Sequence, residues 1–243
     1  MMFPRETGGS TKALAQGAFA VFCLIWLGMS GAAAKGPAAR TLRARQAGRY
    51  AAKAVYPVLA GTTPLVRLAN QTLAQEVTRK HRIWATEAAK GTRTQPASAP
   101  EWSQEITSHT RHRSPRALSI ECDVEDYTGG AHGSHATFTY NFGLVSGRPK
   151  RLALRNLFRP GAPYRKRISA AVIAKLRRNE GAAWVHDGTV KALDARQLER
   201  FCLQRDGLEF ILDDYEVGPG AAGPFSVKLS LKELGPEFRR EML

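Results

Sequence analysis

Several features that mark common functional classes are absent from this sequence. The 243 residues include three cysteines and 8% aromatic residues, which excludes a small disulfide-rich scaffold. There is no Walker A loop, G-x-S-x-G nucleophile elbow or H-E-x-x-H helix, so three widespread kinds of enzyme are not indicated. Helix-turn-helix, zinc-finger and RNP signatures are missing too, and specific nucleic-acid recognition is not expected. No cofactor-binding motif is present.

Acidic residues are also scarce. The chain has 36 Lys and Arg against 21 Asp and Glu, a net charge of +15. Most of the excess lies early: residues 35–118 hold 15 basic and 4 acidic residues, whereas residues 119–243 hold 19 and 16. A solvated basic leader explains this excess most simply, and binding of an anionic partner such as teichoic acid or phospholipid head groups is the alternative.

The N-terminus has the pattern of an export signal. Arg5 and Lys12 form a positive region, Gly17–Leu27 is apolar, and Ala32–Ala34 is a small-residue cleavage site. Residues 1–34 are therefore predicted to be a signal peptide, which places the protein in the periplasm or outside the cell. The alternative is an uncleaved membrane anchor. Residues 35–49 are predicted to be a basic flexible tether.

Two cysteines remain after such a signal is removed, Cys122 and Cys202. Each lies in a strand-like run, and an even number of cysteines is typical of exported proteins. A disulfide between them is predicted; two buried thiols are the alternative.

Periodicity predicts an α+β fold. A helix runs from Thr62-Thr-Pro64 to about Ala89, and a second covers Tyr164–Arg178. Apolar and polar residues alternate in several segments, which indicates half-buried strands. The sequence thus predicts one domain, 50–243, with a smaller part at 50–115 and a core part at 116–235. It consists of an antiparallel sheet with two principal helices packed on one face.

Two glycine-rich loops are the most distinctive segments. They are Asp126–His132 and Asp214–Pro224, and their glycines and prolines are typical of tight turns that need positive φ. The tyrosines beside them are predicted to anchor the loops, or alternatively to present rings to a ligand. The candidate binding residues are Tyr127, Gly129, Gly130, His132, Tyr215, Glu216, Pro219 and Gly223.

Catalytic and metal-binding patterns are weak. His132 and His135 have no supporting ligand at a suitable spacing, so capping of a turn is the favoured interpretation over metal binding. The acidic cluster Asp213, Asp214 and Glu216 is predicted to cap a turn or pair with an arginine. General acid–base catalysis or Ca²⁺ binding is the alternative. No catalytic or metal site is assigned.

The glycine-rich loops also carry a family resemblance. Residues 126–157, from YTGGAH through HATFTYNF to RNLF, together with RDGLEF and DYEVGPGAAGPFSVKLSLKEL, resemble domain of unknown function 3298. That domain is the extracytoplasmic C-terminal part of RsiV-type lysozyme-sensing anti-sigma factors and of some polysaccharide deacetylases. Tyr56–Ala88 is similar to the smaller region that usually precedes it.

The resemblance implies a sensor or accessory module. Neither a sigma-binding nor a deacetylase domain is recognisable here, so those activities are not transferred. The sequence favours an exported, non-enzymatic envelope module that binds a cell-wall polymer or a protein, such as a lysozyme-like muramidase. A small hydrolase that uses the acids near Asp214 with a loop histidine is the alternative. Membrane association is expected only if the N-terminal segment stays uncleaved.

Overall fold

Two β-sheets and five α-helices make up the part of the chain that the computed structural model describes, residues 38–243. The proposed signal peptide lies outside these residues. The first sheet contains six strands in sequential order: β1 (Ala39–Gln46), β2 (Tyr50–Pro57), β3 (Trp102–Arg113), β4 (Ala117–Tyr127), β5 (Ser134–Val145) and β6 (Arg148–Arg151). The second contains β7 (Phe201–Gln204), β8 (Gly207–Leu212) and β9 (Phe225–Ser230). The predicted α+β class is confirmed, although the strands form two sheets rather than one.

The long helix α1 (Pro64–Gly91) connects β2 to β3, which run parallel. Parallel neighbours need a long crossover connection, and this helix provides it. The Thr63 hydroxyl caps its start by accepting a hydrogen bond from the Val66 amide at 3.3 Å, with Pro64 in the first turn. Leu65, Ala69, Leu73 and Val77 are buried against the sheet. Both ends of this helix agree with the prediction.

The four shorter helices accompany the second sheet. They are α2 (Tyr164–Leu176), α3 (Ala183–His186), α4 (Ala195–Glu199) and α5 (Leu231–Leu234). Their apolar side chains form a second core with β7, β8 and β9. Among the described residues, no helix is long and apolar enough to cross a bilayer.

The second sheet packs on the face of the first that α1 leaves open. Ser119 on β4 accepts a hydrogen bond from the Leu203 amide at 3.0 Å, and Asn141 on β5 donates to the Phe201 carbonyl at 2.7 Å. Ser119 also donates to Asn141 at 2.7 Å. These buried polar groups satisfy the backbone of β7 where it crosses the first sheet. The second sheet covers β3 to β5 only in part.

The predicted tether is wrong for most of its length. Residues 39–46 form β1, which pairs with β2 in register from Ala39↔Pro57 to Gln46↔Tyr50. Strand β1 lies at the sheet edge and is largely exposed, so its residues can be polar. For this reason its sequence shows only a weak alternation of buried and exposed positions. The predicted boundary at residues 115 and 116 also falls between two neighbouring strands of one sheet, β3 and β4.

The predicted disulfide is absent: Cys122 and Cys202 are free and buried. Cys122 belongs to the core between the sheet and α1. Cys202 lies on the opposite side of the sheet, where its thiol hydrogen-bonds to Ser119. Ser119 and Cys122 are separated by an odd number of positions along β4, so their side chains point to opposite faces of the sheet. The six-stranded sheet therefore separates the two sulfur atoms.

A candidate binding groove

A groove of about 880 Å³ lies on the face of the six-stranded sheet opposite α1, in the part of that face that the second sheet leaves uncovered. Strands β1 to β5 supply its floor, and the segment after β8 supplies Asp214 and Pro224 at one side. Its position follows from the fold, because α1 covers the other face of the sheet. A concave surface of this size is large enough for a ligand of several residues or sugar rings.

Five ionisable side chains cross the groove floor in one line. The strand register places Arg43 opposite Lys53, Lys53 opposite Glu105, Glu105 opposite Glu125, and Glu125 opposite His135. Neighbouring strands are about 4.8 Å apart, so the row extends over roughly 19 Å. It is basic toward the sheet edge and acidic in the middle. We call this set the charged row.

Only part of the charged row is neutralised within the protein. Lys53 Nζ lies 2.7 Å from Glu105 Oε1, and both side chains are more than 40% exposed, so the pair contributes little to stability. Glu125 is exposed and makes no ion pair with any described residue. Its opposite neighbour His135 is only 3.7 Å from Asp123 Oδ1. The row therefore retains charge for a ligand.

Both glycine-rich loops reach the rim of this groove. Tyr127, Gly133, Asp214 and Pro224 line it. The Tyr127 hydroxyl donates to the Gly130 carbonyl at 3.1 Å, while Gly129 and Gly130 have φ of +96°, a conformation that favours glycine. The prediction that this tyrosine anchors its own loop agrees with the contact.

Other candidate residues from the sequence lie away from the groove. Of the described residues that line it, none is Gly129, Gly130, His132, Tyr215, Glu216, Pro219 or Gly223. Tyr215 is 57% exposed with a φ of +61°, and its ring packs on Gly220. His132 is exposed, and its Nδ1 lies 2.8 Å from the Gly133 carbonyl oxygen. These residues shape the loops.

The acidic cluster is held by an arginine. Arg200 donates to both carboxylate oxygens of Glu216, at 2.7 and 3.0 Å, and its Nη2 lies 3.2 Å from Asp213 Oδ2. Asp213 also accepts a hydrogen bond from the Thr137 amide at 3.0 Å, on the free edge of β5. Burial raises the pKa of Asp213, although Arg200 opposes the shift. The pairing that the sequence suggested for these acids is therefore present for two of them.

Asp214, the third acid, faces the groove. Its Oδ1 is buried and has no hydrogen-bond partner among the described residues, and the same is true of His135 Nδ1. Buried polar atoms are nearly always satisfied. Two such atoms in one groove therefore point to partners supplied by a ligand or by water.

Asp126 and Gln104 also line the groove, but they alternate along their strands with Glu125 and Glu105, so their side chains lie on the other face of the sheet. Asp126 accepts a hydrogen bond from Gln104 Nε2 at 2.9 Å. Burial raises the pKa of Asp126, and the bond from Gln104 opposes this. Gln104 Oε1 is buried without a partner in the described part of the chain.

Within residues 38–243, no three His, Cys, Asp or Glu side chains converge as metal ligands would.

Sequence reasoning missed four members of the charged row: Arg43, Lys53, Glu105 and Glu125. The acids of β4 were visible as the polar side of an alternating strand, but β1 and β3 were not recognised as strands. Without these two strands, the sequence does not indicate the register that aligns the four residues. A polar edge strand and a strand rich in Ser, Thr and His lack the apolar alternation that strand prediction requires.

The structure is thus an α+β protein with an open groove on its large mixed sheet, beside the smaller sheet. Residues 155–232 match the family described as "Protein of unknown function (DUF3298)", which confirms the resemblance seen in the sequence for that part of the chain. That segment supplies only Asp214 and Pro224 to the groove. The charged row comes from the preceding strands.

A solved structure of a similar protein shares this fold. A DUF3298 family protein of Pseudomonas aeruginosa PAO1 aligns with a TM-score of 0.60 and 16% identity, over 86% of this chain and 97% of that one. A DUF3298 protein of Bacteroides fragilis NCTC 9343 aligns with a TM-score of 0.47 and 18% identity, over 83% and 93% of the two chains.

One curated relative has a named activity. The peptidoglycan-N-acetylmuramic acid deacetylase PdaC of Bacillus subtilis strain 168 is 26% identical over 121 residues. This alignment covers 49% of the present chain but only 25% of PdaC. The present chain thus matches about a quarter of that protein's length.

Proposed function

We propose that this protein is an exported, non-enzymatic binding module of the cell envelope whose groove binds a segment of peptidoglycan. The charged row carries the proposal. It puts Arg43 and Lys53 at one end of an open groove and Glu105 and Glu125 further along it, in fixed register. Rigid strands hold these side chains, so a ligand meets a preformed pattern of charge.

Peptidoglycan has matching chemistry. Its stem peptides carry carboxylates and, at the diamino residue, a free amine, and its glycan presents hydroxyl and acetamido groups. The basic end of the row suits a carboxylate, and Glu125 suits the amine. The unsatisfied atoms of Asp214 and His135 supply hydrogen-bonding capacity beside them. Tyr127 at the rim offers a ring face to a sugar.

The relative PdaC supports this ligand class, since its name places its activity on peptidoglycan. The N-terminal sequence supports export, because a positive region, an apolar segment and Ala32–Ala34 occur in the order of a signal peptide. Both arguments point to an envelope ligand. A protein ligand such as a muramidase is the outcome to expect if peptidoglycan fragments fail to bind.

One observation favours a different function. Asp214 and His135 line the same groove, and each has an unsatisfied buried atom, as a general acid and base would before substrate binds. A hydrolase acting on peptidoglycan would use these two residues. Asp213 and Glu216 are unsuited to this role because Arg200 engages both.

Equilibrium binding of a purified disaccharide-tetrapeptide muropeptide to the full chain tests the proposal. We expect Glu125→Lys to weaken binding by about tenfold or more, since an attraction becomes a repulsion. Glu180→Lys is the matched control, because Glu180 is exposed outside the groove and the change in net charge is identical. Equal effects of the two variants would contradict a groove site.

Product analysis in the same samples separates the binding module from the hydrolase. The module leaves the muropeptide unchanged in wild type. Turnover that is lost in Asp214→Asn or His135→Ala, with circular dichroism unchanged, would establish the enzyme instead, because loss of a general acid or base typically costs about 10²–10⁴ in rate.

A further inference from the structure

A second cavity of about 510 Å³ lies between α1 and the edge strand β1. Its rim carries three cationic side chains of α1 and the turn after it, Arg82, Lys90 and Arg93, and Arg43 lines it from β1 with a side chain that belongs to the charged row; no carboxylate belongs to its lining. We call it the basic pocket. It lies on the α1 side of the sheet edge, whereas the groove described above lies on the other face, and of these cations only Arg43 touches both.

The shape of the basic pocket follows from the sequence of α1. Thr78, Arg82, Thr86 and Lys90 recur at steps of four and therefore lie along one side of the helix. Ala85 and Ala89 lie beside them and face Ala44 on β1. Small side chains on both elements leave space between helix and strand, and long cationic side chains surround it.

The cations of the basic pocket are mostly unpaired. Within residues 38–243, Arg43, Arg82 and Arg93 form no salt bridge. Lys90 lies 3.2 Å from Glu87, but both side chains are more than 60% exposed, so this contact is weak. Like charges gathered without counter-charge repel one another, and a bound anion would relieve that repulsion.

A buried histidine provides an independent indication of a ligand. His81 is only 7% exposed, lines the pocket, and has an Nε2 atom with no hydrogen-bond partner in the described structure. An anion in the pocket would accept a hydrogen bond from this nitrogen in its protonated tautomer. Tyr50 and Thr78 add hydroxyl donors, whereas the Thr86 hydroxyl already donates to the Arg82 carbonyl at 2.9 Å.

The turn that follows α1 is held by side-chain hydrogen bonds. Arg49 donates to the Thr92 and Gln95 carbonyls at 2.8 and 2.6 Å, and the Thr92 hydroxyl donates to Ala88 at 2.7 Å. Of these acceptors, only the Ala88 carbonyl belongs to the last turn of the helix. These contacts fix the turn that carries Arg93.

We infer that the basic pocket binds a phosphodiester group. The two guanidinium groups of Arg82 and Arg93 suit the charge and planar hydrogen-bonding geometry of phosphate. The cavity leaves room for an organic substituent on the phosphate. An anionic phospholipid head group and a soluble glycerol-phosphate polymer share this chemistry.

The test uses the full chain with two probes, glycerophosphoglycerol in calorimetry and phosphatidylglycerol vesicles in co-sedimentation, with phosphatidylcholine vesicles as reference. The double variant Arg82→Gln/Arg93→Gln should weaken binding about tenfold or more. Arg177→Gln/Arg178→Gln removes the same charge from an exposed site on the second layer and should bind as wild type. Neither pair touches the peptidoglycan groove.

The two probes distinguish the source of the phosphate. Binding of the soluble probe identifies a polymer or metabolite site, and binding of vesicles alone identifies a lipid head group; either result supports the pocket. The inference is overturned if neither probe binds, or if both double variants weaken binding equally, because the attraction would then come from net charge alone.

Discussion

Arg200 holds Glu216 through two hydrogen bonds, from Nη1 to Oε2 at 2.7 Å and from Nη2 to Oε1 at 3.0 Å. The same carboxylate accepts a third bond from the Asp213 amide at 2.9 Å. Both side chains are less than 20% exposed. An acidic residue that sequence reasoning treated as part of a loop site thus links the second glycine-rich loop to Arg200, which lies just before β7.

This link predicts that Glu216→Gln destabilises the fold. The substitution removes one of the two carboxylates that balance the buried positive charge of Arg200, and only Asp213 remains. We therefore expect the free energy of unfolding to fall by about 2 kcal/mol. Urea denaturation measures it, with exposed Glu180→Gln as the control. Equal midpoints for the two variants would show that the link contributes nothing.

Acid stability depends in part on Glu233. Hydrogen bonds from Lys175 and Ser230 lower its pKa from 4.5 to about 2. A depressed carboxyl pKa stabilises the fold above pH 4.5, and this contribution is lost as the pH falls from 4.5 toward 2. Glu233→Gln should therefore reduce stability at neutral pH and flatten its decline over that acidic range. A pH series of denaturation midpoints that parallels wild type would refute this role.

Both described cysteines should be present as unreactive thiols. Burial raises the pKa of Cys122 and of Cys202 to about 12, and the thiol form reacts poorly with alkylating reagents. Iodoacetamide should label neither residue in the native protein and both after denaturation. Recovery of a Cys122–Cys202 crosslinked peptide, isolated without reductant, would contradict the separation of the sulfurs by the sheet.

Two loop glycines should differ in their tolerance of alanine. Gly130 has a φ of +96° but open space where a Cβ would lie, so Gly130→Ala should cost about 1 kcal/mol in backbone strain. At Gly218 a Cβ would collide with the backbone carbonyl of Gly181, which cannot move independently. Thermal unfolding should therefore rank Gly218→Ala as the more damaging variant. The reverse order would mean that strain at Gly130 dominates.

The elements predicted from sequence are those with strong local signals. Helix α1 has a hydroxyl cap, a proline in its first turn and a regular apolar stripe, and β4, β5 and β9 alternate clearly. Strands β1 and β3 lack such alternation and were missed. Both strands pair with β2. Their positions in the sheet are therefore set by tertiary contacts rather than by their own sequences.

The candidate site was predicted only at its rim. Tyr127 and the loop around Asp214 were recognised from their glycines, and the structure brings both to one groove. The floor was not predicted, because Arg43 and His135 are 92 residues apart in sequence and meet through the register of five strands. No local pattern encodes that alignment.

The most direct test of the peptidoglycan proposal is a ¹H–¹⁵N NMR titration of the full chain with the disaccharide-tetrapeptide. We predict chemical-shift changes concentrated at Lys53, Glu105, Glu125, His135 and Asp214. The double variant at Arg82 and Arg93 should show the same changes, because its residues lie outside the groove. An unchanged spectrum at saturating ligand, or changes confined to residues outside the groove, would contradict the account.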